Sequence, residues 1–277
     1  MSDLKAEIIK SVKNPFFLFP LAFLIILSVL NACSNISDYY FFKNEVITDE
    51  VMDYNPGTSI MTVYNMWLGT RQNNRFADIF FVFALLFPVV VYSWSYRWTL
   101  IKDKKQSRYG IKKNFNKLIA IFISSGAVST IPIIINFAVV SLFIPLRKPD
   151  SAYDIYFGVF SSNIMGECYY SCPLLYTLIY ISVCFILCGA IGCMTHSLSV
   201  IIDNWILSGI IPIAFLLIFR FNCSAKSLFT SDISPISLMS SAPVAFENLK
   251  CLIIEFAIAI VIVCLSLWRI KTKKEAI

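Results

Sequence analysis

LIAIFISSGAVSTIPIIINFAVVSLFI, residues Leu118–Ile144, contains no Asp, Glu, Lys, Arg or His. An uncharged apolar run of roughly 18 residues or more is long enough to cross the hydrocarbon core of a bilayer as a helix. Similar runs recur along the chain. Of its 277 residues, 58% are hydrophobic and 14% are charged, against about 25% charged in a soluble domain. So few charges cannot cover a globular surface in water. The expected solvent is lipid, and the expected fold is an all-α integral membrane protein. Barrel strands would alternate apolar and polar residues over about 10 positions, and these blocks do not alternate.

Six transmembrane helices are expected in a single domain over 1–277. They cover about 16–32, 77–96, 118–144, 173–195, 200–219 and 251–268. Ahead of them, Leu4, Ile8 and Val12 recur every four residues, with Lys5, Lys10 and Lys13 mostly off that face. This pattern predicts a short amphipathic helix on the inner membrane surface, ended by Pro15. LNAC, ending at Cys33, resembles a lipoprotein cleavage box. An uncleaved first span is preferred, because its apolar run is long enough to cross and five further runs follow. The polar, acidic segment 33–76 reads as a long outer loop, with SIMTVYNMWLG as a helix on the outer surface. The segment 220–250, broken by Pro235 and Pro243, reads as a re-entrant outer element before the last span.

Cations set the orientation. With both termini in the cytosol, the inner segments 1–15, 97–117, 196–199 and 269–277 hold about fifteen of the 23 Lys and Arg residues. Cytoplasmic loops attract these residues. The densest group is Arg97, Lys102, Lys104, Lys105, Arg108, Lys112, Lys113 and Lys117, with Asp103 as its one acid. It is read as the main cytosolic loop. Nucleic acid binding is disfavoured, because these cations sit at span ends and the block has no fold of its own.

No catalytic constellation is legible. The chain has one histidine, His196, and its nearest candidate partner is Asp203; a polar cap at the membrane interface explains both more simply. GxxxxGK[ST], HExxH, GxSxG and paired CxxC are all missing. The chain is therefore expected not to be an enzyme and to carry no metal or cofactor of its own. Among intramembrane charges, Glu255 is the candidate for lining a polar cavity. Ser125, Ser129, Thr130 and Asn136 in the third span fit close helix packing, and they also fit a translocation path. Cys168 and Cys172, in ECYYSCP, are candidates for a disulfide on the oxidising side, with free thiols equally open.

Several stretches together resemble the permease subunits of bacterial ABC exporters of the type 2 class. The amphipathic segment ending near Pro15 is similar to that family's connecting helix. SIMTVYNMWLG (Ser59–Gly69) resembles the outer segment before the second span, and FFVFALLFPVVVYSWSY, with Pro88, resembles the second span. SRYGIKKNFNKLIAIFISSG (Ser107–Gly126) resembles the basic run entering the third, and the likeness continues through TIPIIINFAVVSLFIP to Pro145. SPISLM (Ser234–Met239) falls where the family has broken outer helices.

The resemblance implies ATP-driven export of an amphipathic substrate: an antimicrobial peptide, a drug or a lipid. It implies a multi-pass chain in the bacterial plasma membrane, paired with a second permease chain, the same or homologous. Two copies of an ATP-binding cassette subunit would hold the ATP and Mg. Residues 96–117 would be the loop that receives the ATPase stroke. The family usually places an acid and then Gly before the basic run; here Asp103 is followed by Gly110 only later. The competing expectation is a stand-alone ion-coupled carrier, or a non-transporting immunity or sensor protein.

Overall fold

The computed structural model describes residues 2–44, 61–67, 89–90, 92, 111–153, 165–202, 204–222, 253 and 257–268. Every regular element among them is helical. They are α1 (Ser2–Val12), α2 (Pro15–Asn44), α3 (Val63–Met66), α4 (Ile111–Ser141), α5 (Gly166–Ser171), α6 (Pro173–Ile201) and α7 (Trp205–Asn222), followed by α8 (Ala257–Trp268). A 3-10 turn covers Ser151–Tyr153. Three of the helices, α2, α4 and α6, are long and apolar enough to cross a membrane.

The break between α1 and α2 follows from Asn14-Pro15. Pro15 disfavours helical backbone at Asn14, and it suits the first position of a new helix because its missing N–H has no partner there. Asn14 Oδ1 accepts the backbone N–H of Phe16 at 3.1 Å, capping α2. The expected end of the N-terminal helix is therefore also the start of the first long one.

Helix α4 is the centre of the bundle, with α1, α2 and α6 all packed on it. The α2 contacts advance together along both chains, Ser28 against Pro132 and Asn31 against Asn136, so α2 and α4 run parallel. Helix α6 runs the other way: Cys193 lies against Leu118, Gly189 against Phe122 and Gly126 against Phe185. The opposite side of α2 exposes Phe19, Phe23, Ile26 and Leu30. Large apolar side chains in that pattern suit lipid and not water.

The α4–α6 contact is reciprocal. The Phe122 ring of α4 covers Gly189, and Phe185 of α6 covers Gly126. The two rings meet edge to face at 5.9 Å and 80°, an arrangement favoured by their quadrupoles. Each glycine is small because the other helix's phenyl ring occupies its side-chain space.

Four expectations change. The first long helix does not stop near residue 32 but continues to Asn44. Asn31 and Asn35, at and beyond the expected end, are both buried, and Asn31 Oδ1 accepts from Asn136 of α4 at 2.9 Å. The basic run does not remain a loop up to residue 117. Helix α4 starts at Ile111, placing Lys112, Lys113 and Lys117 on its first turns; nothing after Gly110 breaks a helix, and α1 packs alongside. SIMTVYNMWLG, expected as a helix lying on a surface, is not exposed where the structure describes it. Within it, Met61–Trp67 are all buried, and α3 is a single turn wedged between α4 and α6. Its entry is tied by Val63 N–H to the Pro145 carbonyl at 3.2 Å. Likewise α6 continues through 196–199, expected as a loop, to Ile201. Most of the second span, and almost all of 220–250, lie outside the described residues.

The glycine lock makes an ordered prediction. A Cβ on Gly126 would stand 2.8 Å from the Phe185 carbonyl oxygen, which is backbone, whereas one on Gly189 would meet only the Phe122 ring at 2.7 Å. Gly126→Ala should cost about 1–3 kcal/mol by overpacking and Gly189→Ala less, since a ring can rotate away. Thermal unfolding of the two variants in detergent checks the order.

Candidate functional site

Two polar assemblies interrupt the apolar packing of the long helices. The first lies where α1, α2, α4 and Tyr92 meet. Tyr92 is fully buried, and its hydroxyl lies 2.7 Å from Ser124 Oγ. Ser124 Oγ also lies 2.7 Å from the Ala120 carbonyl, to which it can donate. Ser11, at the end of α1 and fully buried, also meets the Tyr92 hydroxyl. Phe17 presses against the Tyr92 ring at 5.8 Å and 78°. One side chain thus touches three helices, four residues before the basic run begins at Tyr96–Arg97. On the far side of that run, Lys117 is 3% exposed on α4.

The second assembly is a seam between α2 and α4. Ser28 Oγ donates to the Pro132 carbonyl at 2.6 Å. Asn136 Nδ2 donates to the Ser28 carbonyl and to Asn31 Oδ1, each at 2.9 Å. Asn35 Nδ2 reaches the same Asn31 oxygen at 3.3 Å. Ser28, Asn31 and Asn136 are fully buried. In apolar surroundings an amide without partners is costly, so the seam fixes how α2 sits on α4. It also passes beside Pro132, where the ring leaves the Val128 carbonyl without its usual helical donor.

At the opposite end from Tyr92, rings close the bundle. Trp67 stands edge-on to Phe137 of α4 at 5.0 Å and to Tyr180 of α6 at 5.7 Å. Tyr169 of α5 meets Tyr176 of α6 at 5.1 Å. The Tyr169 hydroxyl is buried with no hydrogen-bond partner among the described residues, and that burial pushes its pKa well above the usual tyrosine value.

The residues singled out from the sequence fall as follows. Ser125, Ser129, Thr130 and Asn136 are all buried on α4. Asn136 belongs to the seam with α2, while Ser129 meets the Cys188 thiol of α6. Thr130 bonds back to the Gly126 carbonyl at 2.9 Å. Arg97, Lys102, Asp103, Lys104, Lys105, Arg108, Asp203 and Glu255 lie outside the described residues, as do the side chains of Lys112 and Lys113. The bridge considered between Cys168 and Cys172 is not formed: both are free thiols. They are joined by the backbone bond from Cys172 N–H to the Cys168 carbonyl at 2.8 Å, which closes α5. His196 is buried on α6. Among the described residues, no His, Cys, Asp or Glu cluster could hold a metal ion.

Ser28, Asn31, Asn35 and Tyr92 were not singled out from the sequence. A signal was present for the first three: they fall three and four residues apart in an apolar run, on one helix face. Nothing local marked Tyr92.

No protein-family model matches this chain, and neither a curated protein nor a solved structure matches it significantly.

Asn136→Ala removes two interhelical bonds at once. It should destabilise the protein by about 1–2 kcal/mol, given that single interhelical bonds in membranes average about 0.6 kcal/mol; unfolding in micelles measures this. For Tyr169 the sign of the pH effect is set. Its hydroxyl is neutral in the fold, while the unfolded chain loses that proton near pH ~10. Its contribution is complete below that pH and is lost as pH rises above it. Tyr169→Phe should therefore flatten the alkaline decline in unfolding temperature, and at neutral pH it should be neutral or stabilising, since the hydroxyl it removes is unpartnered.

Proposed function

We propose that the chain is the membrane-spanning permease subunit of an ATP-driven exporter, with ATP and Mg bound by separate subunits and not by this chain. The observation that carries this reading is the Tyr92 junction. Tyr92, four residues before the basic run, is joined to α1, α2 and α4 through Ser11, Phe17 and Ser124. A displacement of residues 97–110 is then delivered to three helices together, as a lever requires. The amphipathic N-terminal helix packed on α4 supports the same reading, because it braces the helix that receives the stroke.

Direction of the chain supports six crossings. With α2 and α4 parallel, a chain crossing on both must return once between them, and 77–96 is the apolar stretch of suitable length. Crossings at α7 and α8, with a re-entrant element in 220–250, complete the count and leave both termini cytoplasmic in a bacterial plasma membrane. The partners are two ATP-binding cassette subunits, a second permease chain of the same or a homologous kind, and lipid. An amphipathic cargo fits a path that combines hydroxyls and amides with apolar walls; Ser125, Ser129, Thr130, Asn136 and Glu255 are the residues proposed for it. An ion-coupled carrier is less well supported: among the described residues, α2, α4 and α6 carry one acid, Asp38, three residues from the Phe41 end of its apolar stretch.

The test replaces 97–110 with a neutral Gly/Ser linker of equal length in a tagged chain expressed in its native membrane. The unaltered chain should co-purify with a P-loop ATPase. The linker variant should insert normally and lose at least ~90% of that subunit, a loss that would correspond to at least a tenfold weaker association. Unchanged co-purification removes the lever role. Cargo movement by the isolated chain in vesicles without nucleotide removes the exporter reading.

A further inference from the structure

We propose that Cys184 and Cys188 of α6 form a dithiol site for arsenous acid, a small uncharged molecule that condenses with paired thiols. The two residues lie one turn apart, both are fully buried, and both are free thiols. Side chains four apart on a helix are neighbours, with Cβ atoms about 5–6 Å apart, and the two thiols lie within each other's field. Tyr180 stands one turn earlier on the same face, and its hydroxyl meets the Cys184 thiol. Ser129 of α4 meets the Cys188 thiol. Buried cysteines that only fill space behave as small apolar residues and need no such partners. Here each sulfur comes with a hydroxyl.

Charge selects the ligand. A metal ion is held by thiolates, and charge in an apolar interior is costly. Zinc would also want four ligands, and the described residues hold no group of three or more His, Cys, Asp or Glu to supply them. Arsenous acid, As(OH)3, avoids both demands. It is uncharged at neutral pH, and it binds two thiols without leaving charge behind. Two As–S bonds form and two As–O bonds break. Each departing hydroxyl takes up a thiol proton and leaves as water. Arsenic stays trivalent, so no oxidant or reductant takes part. The third hydroxyl remains on arsenic, where the hydroxyls of Ser129 and Tyr180 are placed to bond it.

The same spacing recurs at Cys168 and Cys172, but that pair straddles the end of α5. Cys172 has φ −135° and ψ 69°, outside helical backbone, so its Cβ does not continue the face that carries Cys168. It is also exposed, and water there reverses the condensation. At Cys184 and Cys188 burial keeps that water out. The inference goes beyond the transport reading and does not rest on it, because it concerns one turn of α6 and its contact with α4.

Arsenic binding to the full chain in lipid nanodiscs tests it, with sodium arsenite at neutral pH as the probe. The reference is the chain carrying Cys168→Ser and Cys172→Ser, which lacks the other pair. It should retain one arsenic per chain after desalting, and X-ray absorption at the arsenic edge should show two sulfur neighbours and one oxygen. Adding Cys184→Ser or Cys188→Ser should lower retained arsenic by about tenfold or more, because a single thiol loses the intramolecular second bond. Ser129→Ala should weaken binding roughly threefold, the effect of one interhelical bond. Retention unchanged by Cys184→Ser and Cys188→Ser, arsenic bound by three sulfurs, or a reference chain that retains none overturns the proposal. Where serine disrupts folding, Cys184→Ala and Cys188→Ala replace it, and the sulfur count in the reference chain decides independently.

Discussion

In an apolar solvent a buried polar group left without a partner is costly, and this cost fixes the arrangement around α4. Without water to compete, Ser28, Asn31 and Asn136 hold α2 at one level on α4. Apolar packing alone would leave that level poorly defined, because leucines repeat along the interface. On its other side, α4 meets α6 through two glycines, each covered by a phenyl ring of the opposite helix. One contact is specified by hydrogen bonds, the other by shape. Together they explain why one helix can be rich in Ser, Thr, Gly and Asn and still sit at the centre of a membrane-type bundle.

The long helices were legible because lipid demands long uncharged runs, and α2, α4 and α6 all satisfy that demand. Their ends were not. Hydropathy ends the first span near residue 32, whereas Asn31 is bonded to Asn136 of α4, a hundred residues later in the chain. Lys112 and Lys113 look like loop because they are charged, yet lysine is a good helix former and both lie within α4. The wedge at Met61–Trp67 was visible as an apolar patch. That it is buried depends on Phe137 and Tyr180, which no local pattern connects to it.

The candidate site was legible in part for the same reason. Ser125, Ser129, Thr130 and Asn136 stand out by composition, because polar residues are conspicuous in an apolar run. Tyr92 does not, since tyrosine is ordinary near a span end. Its place became visible only once Ser11, Phe17 and Ser124 were seen to converge on it. The basic run and Tyr92 thus come from different levels of description: charge marks the first, three-dimensional contact the second.

The two faces of α4 also differ in when they can form. A membrane chain is delivered to the bilayer from its N-terminus onward, so α2 is already in place when α4 emerges, while α6 is still unmade. The amides of Asn31 and Asn136 therefore meet early and shield each other from lipid during synthesis. Gly126 waits, its groove open to acyl chains, until Phe185 arrives to displace them. Biogenesis of this bundle accordingly has a built-in sequence: polar docking first, aromatic closure second.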